Sequence, residues 1–408
     1  MRKLLFVLFY ICATCGYAYA LGEGGIVNSG GEGAIGGDIG AIHGNRDWRY
    51  LGLTFWAPLD NPSAPLRLER GTGTLSFTRA TTATYVHPTT GLITSAASGQ
   101  LRIESNGALI EGVRTNIALQ SETLGTTWVA SNIAVVNDNA VAPDGASTAE
   151  RLTASAGNGT LLQSVTGTAA AYTFSIYLKR LTGTGNVDVR ADNTTWATCT
   201  ISSSAWTRCA ATATLTDNTY APGVRIVTSG DAVYAWGGQM EAGAFESSYI
   251  PTTAAAKTRN KDVLIAPLTG NYSLASGTIS VEMHRLLSSY AKLLAIGDAG
   301  ASNTLYLSTD NYGIFDNSAA QKYMGNAIGS GFTRNAVRWN NGSMGQALNG
   351  TVYTTTSGGG AGVLSAAQSE MGIGNEWISG ADQPNGHIKN LRIWSRALTD
   401  AEMVGITQ

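Results

Sequence analysis

Charged side chains are scarce in this sequence: 26 lysines and arginines and 28 aspartates and glutamates make up 13% of 408 residues. The formal net charge is −2 and the basic residues are scattered. There is therefore no electrostatic footprint for a phosphate backbone, which excludes nucleic acid as a leading partner. Histidine and cysteine are equally sparse, four of each, and none falls in a Cys/His spacing that would hold zinc. No long segment keeps a helical apolar period. Glycoside hydrolysis needs two carboxyl groups facing across a sugar, about 5–9.5 Å apart, and on one strand these commonly appear as Glu-x-Asp-x-x-Glu. That triplet is missing: Glu282 precedes Met283 and His284, and Glu376 precedes Trp377 and Ile378. A Gly-x-Ser-x-Gly elbow is missing as well. The expectation is a protein that is not an enzyme.

What the chain has in quantity is glycine, 50 residues of it, with abundant Ser, Thr, Ala and Asn. Short apolar alternations are broken by Gly, Asn, Asp and Thr clusters, the pattern of an all-β protein. Tyr172, Phe174, Ile176 and Leu178 alternate with polar neighbours and share one side of a strand. Near the end, Ile388, Leu391, Ile393 and Ala397 mark a half-buried strand, and Thr399-Asp400-Ala401-Glu402 reads as a helix start.

The N-terminus has a basic start (Met1-Arg2-Lys3), an apolar run from Leu4 to Cys15, and small residues ending at Ala20. This is a secretory leader pattern over 1–20, with cleavage after Ala20. Cys12 and Cys15 would leave with it. Cys199 and Cys209 remain, either as a disulfide across two short strands around a Ser-rich turn or as buried free thiols. Residues 21–46 form a Gly-rich linker with too little apolar content to offset the entropy of ordering.

Several strings resemble known families. Phe77–Val86 ("F-x-R-A-T-x-A-T-Y-V"), Gly107–Asn116 ("G-x-L-I-E-x-x-R-T-N") and Ser121-Glu122 with Trp128 are similar to the entry of a module in phage tail and virion structural proteins. Tyr234–Gly243 ("YAWGGQ-x-E-x-G") and Ser248–Thr252 ("SYIPT") resemble the end of a carbohydrate-binding-module-like jelly roll in phage proteins. Asn340-Asn341-Gly342, Asn349-Gly350 and the closing Gly386–Glu402 resemble a laminin-G-like, concanavalin A-type domain. The expected order is therefore an extended β/turn-rich phage-like module at 47–120, a jelly roll at 121–260, and a laminin-G-like sandwich at 261–408. The fold class is all-β, with two consecutive β-sandwich domains.

Such folds bind sugars with aromatic faces beside Asn, Asp or Glu. The candidate ligand-binding residues are Asn375, Glu376, Trp377, Asp382 and Asn385 in one loop, with Trp128 and Trp196 in the jelly roll. Trp206, Trp236 and Trp394 lie in apolar strand contexts and are expected in the core. No cofactor is expected. Asp310, Asn311, Asp316 and Asn317 fit ordinary turns, with calcium as the alternative, because a calcium-loop spacing is lacking. The resemblances imply a phage or prophage virion or tail-associated adhesion protein. Its partners would be host-surface glycans or other virion proteins, and a homo-oligomer is compatible with that role. A secreted, extracellular bacterial lectin-like protein is the alternative, and a glycan hydrolase a more remote one.

Overall fold

The computed structural model describes residues 48–285, 291–297, 304–309, 311–315, 320–325, 328–329, 331–364, 368–375 and 383–408. The leader-like and Gly-rich segments lie outside them. A 3-10 turn at Trp48–Tyr50 stands near the start, and Thr54–Gln408 forms one compact unit. The all-β expectation holds. Among the described residues that unit contains two antiparallel sandwiches.

The jelly roll pairs two five-stranded sheets. One runs Thr207–Leu215, Ala170–Thr182, Ala232–Ala242, Ala149–Ala154, Ile133–Ala140; the other runs Ala197–Cys199, Val187–Arg190, Gly223–Ile226, Gly159–Leu162, Val129–Ser131. Phe174, Ile176 and Leu178 are fully buried between them, as their alternation requires. Cys199 and Cys209 are joined in a disulfide. Their strands do not pair with each other, since each lies in a different sheet. The bond therefore ties the two layers together at one edge. Reduction is expected to lower stability by about 2–3 kcal/mol, because it frees a short loop in the unfolded chain. Urea denaturation with and without reductant measures this, and coincident curves would refute it.

The second sandwich pairs an eight-stranded with a seven-stranded sheet. Ser276–Arg285 sits centrally in the larger sheet, between Gly331–Asn340 and Gly386–Trp394. The strands Gly331–Asn340, Ser343–Leu348 and Thr351–Tyr353 are joined by the two Asn-Gly turns. Both residues of each turn have positive φ: 45° and 86° at Asn341-Gly342, 47° and 80° at Asn349-Gly350. Asn and Gly tolerate that conformation best, which is why they mark tight hairpins. The C-terminal helix Asp400–Thr407 has the expected capping box: Thr399 Oγ1 accepts from Glu402 N, and Glu402 accepts from Thr399 N.

The 47–120 segment contributes strands to this second sandwich. Leu53–Ala57, Arg102–Glu104 and Gly107–Ile110 belong to the larger sheet, and Ser76–Thr78 pairs with Val263–Pro267 in the smaller one. Phe55, Ile103 and Ile110 share a core with Leu264, Ile279 and Ile393. The jelly roll is thus inserted between two stretches of chain that build one sandwich.

Where the sandwiches meet, the motif residues converge on a buried polar junction. Asp262 accepts from Arg79 (3.1 Å), Arg102 (2.5 Å) and the Glu111 backbone amide (2.9 Å). Glu111 in turn pairs with Arg102 at 2.7 Å and Arg259 at 2.9 Å, and accepts from both the amide and the hydroxyl of Ser248. All five charged side chains are buried. Burial alone would raise the Glu111 carboxyl, but Arg259, Arg102 and the Ser248 hydrogen bonds overrule it and hold it well below its usual range. Asn116 completes the weld, donating to the carbonyls of Gly238 and Ile250 and accepting from the amides of Met240 and Ala118.

Candidate functional site

A hairpin of Ala83–Val86 and Ile93–Ala96 straps across this junction. Arg102 donates to the Thr84 carbonyl at 3.0 Å, the Thr84 hydroxyl bonds the Tyr249 carbonyl, and Ile93 N donates to the Pro143 carbonyl at 3.0 Å. Glu104 accepts from Val86 N at 2.7 Å and lies 2.9 Å from His387 Nε2. Ile93 packs into a small cluster with Ala142, Ala149, Trp236 and Tyr249. Burial and the neighbouring Glu122 hold the Tyr249 phenol well above its usual range, so it stays a neutral donor to Glu122 Oε1 at 3.0 Å.

Between the hairpin and the outer face of Ala170–Thr182 lies a cavity of about 480 Å³. Its walls include Val86, Leu92, Val141, Tyr177, Lys179 and Trp206. Val86, Leu92 and Val141 are 42%, 39% and 58% exposed, an unusual concentration of open apolar surface. Tyr177 and Trp206 are half-buried. The register pairs Tyr177 with Arg208 and Leu178 with Thr207, and Lys179 and Trp206 are the next residues beyond that last pair. Tyr177 is held from below: Arg208 Cζ lies 5.3 Å from its ring centroid, and Trp236 lies 5.8 Å away. Arg208 is itself fixed by the Ser247 carbonyl at 2.7 Å and Ser175 Oγ at 3.1 Å. A second cavity of about 210 Å³ adjoins the first through Val86, Ile93 and Tyr177, and adds Tyr85, Glu104, Arg208, Glu246 and His387. Aromatic rings, apolar walls and a few polar groups on a fixed frame are the composition of a small-ligand groove.

The described residues among those expected from sequence do not line this groove. Glu376, Trp377 and Asp382 fall outside the described residues. Asn375 is buried, and its Oδ1 accepts from Leu264 N at 3.1 Å. Asn385 adopts φ of 47°, accepts from Gly112 N at 2.9 Å and donates to the Gln383 carbonyl. Both amides serve the chain's own backbone. Trp128 is a correction: it is buried against Phe174, with Nε1 donating to the Leu119 carbonyl at 3.1 Å. Trp196 is half-buried, and the guanidinium carbons of Arg190 and Arg225 each lie 4.6 Å from its ring centroid. Its ring is committed to those cations. Among the described residues, Asn375, Asn385, Trp128 and Trp196 do not line one common cavity.

Trp236 and Trp394 are buried as expected, whereas Trp206 is a second correction. It stands at the groove wall because it precedes the strand Thr207–Leu215 rather than lying within it. Tyr177 and Lys179 carried a legible signal. They occupy the outward positions of the clean alternation, on the face turned away from the jelly-roll core. Of the calcium candidates, Asp310, Asp316 and Asn317 lie outside the described residues, and Asn311 closes a turn with Ser308 through its carbonyl and side chain.

No protein-family model and no curated protein matches this sequence. Among solved structures, the chain is similar to the CBM40 of the Ruminococcus gnavus IT-sialidase bound to α2,6-sialyllactose. That likeness has 16% identity and a TM-score of 0.29, and covers 33% of this chain and 85% of that one. A second likeness is to domain 4 of AbnA, a GH43 extracellular arabinanase from Geobacillus stearothermophilus, in complex with arabinotriose. It has 17% identity and a TM-score of 0.27, over 40% of this chain and 82% of that one. A third is to a heptameric SAP-like pentraxin from Limulus polyphemus, at 18% identity and a TM-score of 0.25, over 33% of this chain and 70% of that one.

Proposed function

We propose that this protein is a non-enzymatic, glycan-binding adhesion protein whose ligand lies in the groove of Tyr177, Lys179 and Trp206. The observation that carries this reading is the open aromatic and apolar wall on a strongly braced junction. Sugar C–H faces stack on such rings, and hydroxyls bond the polar groups at the margin. Glu246, which lines the adjoining cavity, supplies an acceptor for hydroxyls. Weak single sites of this kind gain strength when many copies are displayed together.

The Cys199–Cys209 disulfide favours an oxidising, extracellular setting. The motif resemblances favour display on a phage virion or tail. Mass spectrometry of purified particles and of culture supernatant separates these settings: the chain in particles supports the virion, and the processed chain free in the medium supports secretion. Trp206→Ala is expected to weaken retention on the protein's glycan about tenfold or more while the protein still unfolds cooperatively, with some loss of stability because the ring packs on the edge of the Trp236 and Tyr249 cluster. A glycan array run on both proteins checks this, and identical profiles would remove the groove from consideration.

A further inference from the structure

The groove's lining contains a single charged side chain, Lys179. Among the described residues, neither its ammonium nor the Tyr177 hydroxyl nor Trp206 Nε1 has a hydrogen-bond or ion-pair partner within the protein. Two of these three groups, Lys179 Nζ and Trp206 Nε1, can only donate, and the third donates readily. The remaining side chains on the wall are apolar: Val86, Leu92, Ile93, Val141, Ala142 and Pro143. A ligand seated here must therefore bring acceptors. It must also compensate the ammonium, because covering a cation with apolar surface is costly unless an opposite charge comes with it. A neutral sugar would desolvate Lys179 and return only hydroxyl contacts. A sugar with an acidic substituent would pair it in a charge-assisted hydrogen bond of low local screening.

We infer that the groove selects acidic over neutral glycans, with the carboxylate or sulfate of the sugar on Lys179 and its C–H face against Trp206 and Tyr177. This rests on the glycan-binding reading above. Calorimetry on the full chain with two matched pairs tests it: tetragalacturonate against its carboxyl-reduced form, and a sulfated galactan tetrasaccharide against its desulfated form. The acidic member of at least one pair is expected to bind about tenfold more tightly, and the pair that discriminates identifies the acid. That preference should shrink as NaCl is raised. Lys179→Met should abolish the acidic-over-neutral preference, read as the ratio of the two dissociation constants within each pair, and Lys179→Arg should keep it. Equal binding within both wild-type pairs, or a preference that survives Lys179→Met, overturns the inference. Trp206→Ala separates the two levels. If it removes binding while Lys179→Met leaves the acidic-to-neutral ratio intact, only the acidic preference falls. If no probe binds, or Trp206→Ala changes nothing, the glycan reading of the groove falls with it.

Discussion

Asp262→Ala is expected to destabilise the folded chain by about 3–5 kcal/mol, the cost of removing one partner from a buried ion network. The carboxylate accepts from Arg79 and Arg102 and from the amide of Glu111. Its removal leaves three buried guanidinium groups (Arg79, Arg102, Arg259) facing Glu111 as the remaining carboxylate of the five-member cluster. Water cannot easily re-solvate them, because both Arg79 and Arg102 side chains are fully buried. The Glu111 amide loses its acceptor at the same time. Guanidinium denaturation would show a lowered midpoint, and a loss below about 1 kcal/mol, the level of an exposed ion pair, would refute a buried network. The network should also persist to low pH. Glu111 titrates lower in the folded chain than in the unfolded one. Its contribution is therefore complete above the ordinary carboxylate range and is lost only as pH falls below it.

Glu150→Gln is expected to act in the opposite direction, and only at higher pH. Glu150 lies buried inside the jelly roll, where its Oε1 accepts from Leu124 N at 3.1 Å and its Oε2 has no partner among the described residues. Burial pushes its carboxyl up to about 7, with repulsion from Asp138 adding to the shift. A raised acid means that the folded state holds its proton where the unfolded state has lost it. Stability therefore falls as pH rises from the ordinary carboxylate range to about 7, by about 3 kcal/mol in all. The glutamine keeps the acceptor for Leu124 and cannot ionise. Relative to the natural chain, the variant should gain about 2.5 kcal/mol between pH 5 and pH 8, because part of the penalty is already present at pH 5. Burial raises the Glu122 carboxyl as well, so a part of the pH dependence should remain. Unfolding curves at both pH values give the comparison, and a constant difference between the two proteins would contradict the assignment.

The sequence was most legible where the determinant is local. Thr399 and Glu402 lie three residues apart, and their capping geometry needs only the helix they start. The Asn-Gly turns are similarly self-contained. The closing strand was harder. Its buried residues step from Ile388 to Leu391 and Ile393, which breaks an alternating period. The cause is a bulge at Asn390, with φ of 54° and a register shift against Ser280 and Glu282. The extra residue keeps Ile388 and Leu391 on the same face. Asn390 uses its side chain to reach Glu282 at 2.8 Å and its amide to reach the Pro58 carbonyl.

The strings at 77–86, 107–116 and 248–252 stand out in the sequence, but their structural role was not legible there. Arg79, the pair Glu111 and Asn116, and Ser248 with Arg259 come from stretches far apart in sequence, yet they form one junction. Charged and polar residues in a turn-rich stretch read as solvated when their partners are far away in sequence. Arg79 and Asp262 are 183 residues apart. The candidate site shows the same limit. Aromatic residues were chosen for their loop-like surroundings, but exposure depends on what packs above a ring. Trp128 is covered by its own sandwich, while Trp206 is left at an edge beside the hairpin.

By itself, the sequence determined the all-β class, the strand alternation, the hairpin turns and the capped helix, because each follows from spacing within a few residues. Tertiary structure alone decided that residues near both ends share one sandwich and that the motif residues form its weld. It also decided that the groove lies between the strap and the outer face of Ala170–Thr182. Those outcomes depend on contacts between distant segments, whose pairing is set by burial of the whole chain.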